Sequence, residues 1–161
     1  MKHIKLFVAD VDGVLTNGQL LFDANGECSK FFHVHDGHGL KELLRHGLQV
    51  AIISARSDRS TEHRLNQLNI PHVFLGTPDK LATLKRLCQQ LNYSLDQVAY
   101  MGDDLADLSC MQSVGFAIAP ANAITEIKQA ADRVTHLAGG YGAVREICDY
   151  LIEQCRHHVN A

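Results

Sequence analysis

The chain has no tryptophan, and its ring residues are limited to four tyrosines and six phenylalanines among 161 residues. A stacking platform for nucleic-acid bases is therefore not expected. There is no basic tract, and the formal net charge is −3, so the electrostatic footprint of a nucleic-acid binder is missing too. No apolar run reaches the length that crosses a bilayer. The cysteines Cys28, Cys88, Cys110, Cys148 and Cys155 form no CxxC pair and are odd in number. They read as reduced, mostly buried thiols of a cytoplasmic protein. A strand-like run begins within the first residues, so no signal peptide is expected. Internal repeats, low-complexity stretches and linkers are lacking.

What is present suits an ordinary globule: 46% hydrophobic and 20% charged residues. The length predicts one domain, residues 1–161, with one good core. Short apolar runs alternate with helical spacing. Ile4–Ala9, Gln49–Ser54, His72–Leu75, Val98–Gly102 and Gly115–Ile118 read as buried strands, with Arg133–Thr135 as a short edge strand. Helical spacing covers Gly39–Arg45, Arg59–Leu68, Asp79–Leu91, Leu105–Met111, Ala123–Ala130 and about Ala143–Arg156. Ser94 with Gln97, and Asn122 with Thr125, resemble helix-entry sites. The alternation predicts an α/β, Rossmann-like three-layer sandwich: a parallel sheet with helices on both faces. One segment breaks it. Asn25-Gly26 between two β-prone runs predicts a β-hairpin flap over about 19–33, directly after the first strand.

Asp10-Val11-Asp12-Gly13-Val14 closes the first strand. Two carboxylates two residues apart then stand at a strand's carboxyl end, where open α/β sheets place their sites. Gly13 lets the backbone turn sharply and approach an anion. Carboxylates facing a phosphate repel it unless a cation lies between, which implies a hard divalent metal such as Mg²⁺. One Asp can then attack phosphorus while the other handles protons.

Further along, Ser54 ends the second strand with its hydroxyl toward the same crevice, and Arg56 follows within reach of an anionic substrate group. Lys80 opens a helix, against the helix dipole, a misfit that suggests charge neutralisation on a phosphoryl group. Gly102-Asp103-Asp104 ends the fourth strand, with Asp107 one turn on. Asp103 joins Asp10 in offering anionic oxygens to the metal, while Asp104 and Asp107 are placed to support them. His33, His35 and His38 cluster locally without a usual zinc spacing. Gly139-Gly140-Tyr141-Gly142 lacks the strand and G-K-[ST] of a nucleotide loop.

In this order, Asp10-x-Asp12, Ser54, Lys80 and Gly102-Asp103-Asp104 resemble the haloacid dehalogenase superfamily of phosphotransferases. The run Asp10–Gly18, the hairpin, Asp36-Gly37-His38-Gly39 and Ala138–Glu146 are similar to one branch, the 3-deoxy-D-manno-octulosonate (Kdo) 8-phosphate phosphatases of lipopolysaccharide synthesis. The resemblance implies Asp10 as a nucleophile that becomes an aspartyl phosphate, and Asp12 as general acid and then base. It implies Mg²⁺ held by Asp10, the backbone carbonyl of Asp12 and Asp103. It places Gly13, Ser54, Ala55 and Lys80 around the phosphoryl group and Arg56 against the sugar acid. Ala55 departs from the branch's usual Ser/Thr-Gly-Arg triplet, which puts close backbone approach there in question. A sister branch acting on nine-carbon sugar-acid phosphates often has an acidic residue in place of Arg56.

Between Asp10 and Ser54 there is room for the hairpin and one helix, and between Lys80 and Asp103 for one helix and one strand, so no cap domain fits. Walls from another subunit are the alternative. The resembling branch forms ring tetramers, which implies a homotetramer here, with Arg64 of a neighbour meeting the substrate carboxylate. The apolar hairpin residues Leu20, Leu21, Phe22, Phe31 and Phe32 suit an interface. Three other readings stay open at this point: a phosphatase for another small sugar phosphate, a phosphoryl-receiver domain, and an inactive binding relative.

Overall fold

β1, Leu6–Ala9, is buried along its whole length and turns successive side chains to opposite faces. Leu6 and Val8 join Leu84, Leu87, Met111 and Ile127 on one side. Phe7 and Ala9 join Leu40, Leu43, Leu65, Ile147 and Leu151 on the other. That split is why the strand reads as a continuous apolar run: both of its faces are covered by helices. The structure is a computed structural model and describes residues 3–159.

The remaining elements are β2 (Leu21–Phe22), β3 (Cys28–Ser29), α1 (Val34–Arg45), β4 (Gln49–Ile53), α2 (Arg59–Leu68), β5 (His72–Phe74), α3 (Lys80–Leu91), β6 (Val98–Met101), α4 (Leu108–Met111), β7 (Phe116–Ala119), α5 (Thr125–Ala130), β8 (Arg133–Val134) and α6 (Ala143–Val159). Six strands form one parallel sheet in the order β5-β4-β1-β6-β7-β8. α1, α2 and α6 contribute to the core on one face, and α3, α4 and α5 on the other. The chain leaves β1 toward β4 on one side and later returns to β6 on the other. The carboxyl end of β1 is therefore a topological switch point, the place where such sheets open a crevice. Among the described residues, no helix is long and apolar enough to cross a membrane.

Three expectations change. The hairpin is shorter than 19–33, because only β2 and β3 pair, two residues each, around a turn in which Asp23 Oδ1 accepts the amides of Asn25 and Glu27. α1 begins at Val34 rather than Gly39, with His33 Nδ1 capping it by accepting the His35 amide at 3.1 Å. Its glycines lie where neighbours crowd the helix: a Cβ at Gly37 would meet the Arg64 guanidinium, and one at Gly39 would meet Arg145 and Cys148. Asn122 is not the entry of α5, which starts at Thr125 after Ile124; its side chain is engaged elsewhere.

Candidate active site

The sheet itself fixes Asp10, whose amide continues the ladder by donating to the Met101 carbonyl at 3.1 Å. The chain then coils tightly, with the amides of Val14, Leu15 and Thr16 all donating to the Val11 carbonyl. Thr16, fully buried, closes this loop by accepting the amides of Gly13 at 3.3 Å and Gly18 at 3.1 Å. A second loop braces it from behind. Asn122 Nδ2 donates to the Gly13 carbonyl at 2.9 Å, Asn122 Oδ1 accepts the Gly139 amide at 2.6 Å, and the Gly140 amide donates to Val14 O at 3.2 Å. A Cβ at Gly139 would overlap the Gly13 carbonyl, which accounts for the glycine there. The Gly139–Gly142 segment thus serves as a buttress. Sequence reasoning missed Asn122, since an asparagine ahead of a helical run looks like a cap.

Gly13 has φ +83° and is not among the residues lining the cleft. Its amide donates to Thr16 Oγ1, and its missing side chain leaves room for Asp103, whose carboxylate a Cβ would overlap.

Asp107 is the hub of the buried charges. It is wholly buried, and its Oδ1 accepts Lys80 Nζ at 2.8 Å and the Tyr100 hydroxyl at 2.8 Å. Its Oδ2 accepts the Asp103 amide at 3.1 Å. Lys80 heads α3, is itself buried, and reaches Asp10 Oδ2 at 3.0 Å. Burial opposes its charge, but Asp10 and Asp107 more than offset that and raise its pKa. Asp104 Oδ1 accepts the Leu105 amide at 2.7 Å, which starts the short helix carrying Asp107.

Asp10, Asp103 and Asp107 present carboxylate oxygens within 4.8 Å of one another. Asp107 has spent both of its oxygens on donors. Asp103 Oδ1 is buried without a hydrogen-bond partner. Burial first pushes both Asp10 and Asp103 up to about 7, followed by repulsion from Asp107 on Asp10 and from Asp10, Asp107 and Asp104 on Asp103. An orphaned buried oxygen and two carboxylates pressed together fit a hard divalent cation, which would favour their ionised forms. Asp10 and Asp103 could hold such a cation, while Asp107 fixes Lys80 and the Asp103 amide beside them.

These groups open into a cleft of about 260 Å³, whose walls also include Asp12, Ser54, Ala55, Arg56 and Asp104. Ser54 is buried; its amide donates to Phe74 O at 2.9 Å, and its Oγ accepts the Arg56 amide at 3.3 Å. Arg56 Nε stands 3.7 Å from Asp12 Oδ2, and the guanidinium lies 6.0 Å from the Phe22 ring centre. Arg64 lies instead on α2, over Gly37. His33, His35 and His38 do not converge: His33 caps α1, His35 meets its ring edge-on, and His38 is 3.6 Å from Glu42. One further site residue, Lys30, escaped sequence reasoning. Lys30 Nζ is 2.8 Å from Asp12 Oδ1 and 2.6 Å from Asp58 Oδ2, with its side chain 1% exposed. The available signal was a lone charge in the run Cys28–His33, on the same side of extended chain as Phe32.

Residues 73–147 match the model of the haloacid dehalogenase-like hydrolase family. Over 151 residues the chain is 42% identical to the 3-deoxy-D-manno-octulosonate 8-phosphate phosphatase KdsC of Salmonella typhi, covering 94% of this chain and 80% of that protein. The chain belongs to the 3-deoxy-D-manno-octulosonate 8-phosphate phosphatase family. The family member of Haemophilus influenzae is 41% identical over 153 residues, 95% of this chain and 85% of that one. The crystal structure of the phosphatase from Moraxella catarrhalis, in complex with magnesium ion, phosphate ion and KDO, matches with a TM-score of 0.91 at 41% identity, over 94% of this chain and 87% of that one. Family membership and the α/β fold expected from the sequence therefore hold.

Proposed function

We propose that this chain is a Mg²⁺-dependent phosphatase that hydrolyses 3-deoxy-D-manno-octulosonate 8-phosphate to Kdo and inorganic phosphate, in lipopolysaccharide precursor synthesis in the cytoplasm. The observation that carries the reading is the meeting of Asp10, Asp12, Ser54, Arg56, Lys80 and Asp103 around one cleft at the carboxyl ends of β1, β4 and β6. The similarity to KdsC over 94% of the chain supports the substrate.

In this reading Asp10 attacks phosphorus, and the bond between phosphorus and the sugar oxygen breaks. Asp12 gives a proton to the departing sugar oxygen. Asp12 then takes a proton from water, which attacks phosphorus and frees Asp10 with release of phosphate. Ser54, the Ala55 amide and Lys80 hold the phosphoryl oxygens. Asp10, the Asp12 carbonyl and Asp103 would hold Mg²⁺, which would screen the carboxylates from the incoming phosphate. Asp107 keeps Lys80 and Asp103 in place. Arg56, exposed at the rim, meets the sugar acid.

The cleft is smaller than the roughly 300–1,000 Å³ of a usual ligand pocket. We infer that neighbouring subunits of a homotetramer complete it, with Arg64 of one subunit serving the site of another. A panel of sugar-acid and simple sugar phosphates, assayed for phosphate release with Mg²⁺, tests the substrate. Kdo 8-phosphate should give the highest kcat/KM. Preference for a neutral sugar phosphate would reject the Kdo assignment.

A further inference from the structure

We propose that Lys30, on the return chain of the hairpin, is a positioning residue for catalysis: it holds the Asp12 carboxylate in the orientation from which Asp12 exchanges protons. This rests on the reading of Asp12 as the general acid.

The geometry separates what Lys30 is held by from what it holds. Its Nζ donates hydrogen bonds to Asp58 Oδ2 at 2.6 Å and Thr61 Oγ1 at 3.3 Å. Both partners belong to the start of α2, where Asp58 Oδ1 caps the helix by accepting the Thr61 amide at 2.9 Å. The backbone beside Lys30 is tied to the same helix end, since Ser60 Oγ donates to the Cys28 carbonyl at 3.1 Å. Lys30 is thereby anchored independently of Asp12. Toward Asp12 it makes an ion pair at 2.8 Å but no hydrogen bond, and Asp12 Oδ1 is buried without a hydrogen-bond donor. Asp12 thus has a fixed counter-charge on its buried Oδ1, while its Oδ2 lies on the Arg56 side, 3.7 Å from Nε.

A buried ammonium is costly unless its partners are well placed, and an apolar side chain often serves stability as well or better. The α2 cap needs only Asp58. Among the described contacts, what Lys30 adds is the link from α2 and the hairpin to Asp12. Misplacing a reacting group by about 1 Å can cost on the order of 10²-fold in rate.

The test uses leaving groups. A sugar or alkyl oxygen needs a proton to depart, whereas p-nitrophenolate does not. Asp12→Asn, Lys30→Met and the combined variant are assayed for kcat/KM on Kdo 8-phosphate and p-nitrophenyl phosphate, with Mg²⁺ saturating. Because kcat/KM covers only the steps through phosphoryl transfer to Asp10, it isolates the acid role. Lys30→Met should lose roughly 10- to 100-fold on Kdo 8-phosphate and much less on p-nitrophenyl phosphate, and should add no further loss to Asp12→Asn. Equal losses on both substrates, or losses that multiply with those of Asp12→Asn, would overturn the proposal and leave Lys30 a structural residue. If Asp12→Asn itself shows no leaving-group selectivity, the acid reading fails instead. Should Lys30→Met not fold by circular dichroism, Lys30→Met/Asp58→Asn removes the unpaired charge while asparagine keeps the cap; the same selective loss is expected of it.

Discussion

Gly13 and Asp103 share one space: the Asp103 carboxylate occupies the volume that a side chain at position 13 would fill. This contact joins the loop after β1 to the loop after β6, and it brings the Asp103 carboxylate, the second of the proposed metal ligands, toward Asp10. Gly13→Ala should therefore damage the site more than the fold. The positive φ costs roughly 1–2 kcal/mol for alanine, and Asp103 must also move. We expect a drop in turnover of at least 10²-fold and a raised Mg²⁺ requirement, with a cooperative melt retained. Kinetics against Mg²⁺ concentration, beside thermal denaturation, check this; wild-type Mg²⁺ dependence in the variant would contradict it.

The acidic pair also sets how stability depends on pH without a cation. Asp10 and Asp103 rise from 3.8 to about 7, through burial first and then repulsion from neighbouring carboxylates. Between these values the folded protein holds more protons than the unfolded chain, so cation-free stability falls as pH rises from about 4 to about 7. Asp58 works in the opposite sense: burial would raise it, but hydrogen bonds led by that from Lys30 bring it to about 2, so its contribution is lost only below 3.8. His72, lowered by burial from 6.5, opposes the trend near neutrality. Melting temperatures in chelator should thus decline from pH 5 to 7. Asp103→Asn should flatten the decline, and Mg²⁺ should stabilise most near pH 7, where binding displaces the fewest protons. A chelated protein that grows steadily more stable over that range would count against the raised pair.

Asn122 is the pin between the loop after β1 and the glycine loop at 139–142. Asn122→Ala leaves the Gly13 carbonyl and the Gly139 amide without that partner, at a cost of about 1–3 kcal/mol for each group left unsatisfied. Denaturant unfolding should show the loss, with turnover lowered because the loop carrying Asp12 loosens. An unchanged midpoint and normal kinetics would remove the pin from the account.

Much of this was legible beforehand, for reasons that differ by element. The sheet strands could be read because strands covered on both faces are continuous apolar runs, as in Leu6–Ala9 and Val98–Met101. Asp10, Asp12, Ser54, Lys80 and Asp103 stood out because each follows a strand or opens a helix at a site-bearing edge. The first turn of α1 was hidden by Gly37 and Gly39, poor helix formers kept small by Arg64 and α6. Asn122 and Lys30 were not legible as site residues, because their partners are distant in sequence: Asn122 bonds Gly13, and Lys30 meets Asp12 and Asp58. Only folding brings those side chains together.

The hairpin leaves Leu21 63%, Phe22 53% and Phe31 80% exposed, while Phe32 packs on the core. Phe32 is thus ordinary packing, and the other three form an exposed apolar face that the proposed homotetramer would cover. Charged substitutions at Phe22 and Phe31 should dissociate the proposed homotetramer with little loss of subunit stability. Hydrolysis of Kdo 8-phosphate should then suffer far more than that of a small aryl phosphate, which needs fewer walls. Light scattering paired with both assays checks this; a fully active native monomer would rule it out.

The chemistry converges on Asp10, so the decisive observation is where the phosphoryl group goes. Protein turning over Kdo 8-phosphate with Mg²⁺ is quenched in acid within a single turnover, digested, and analysed by mass spectrometry. One phosphoryl group is expected on the peptide containing Asp10, none after chelation of the metal, and none in Asp10→Asn, which should release no phosphate. Phosphorylation of a different residue, or steady phosphate release by Asp10→Asn, would contradict Asp10 as the nucleophile.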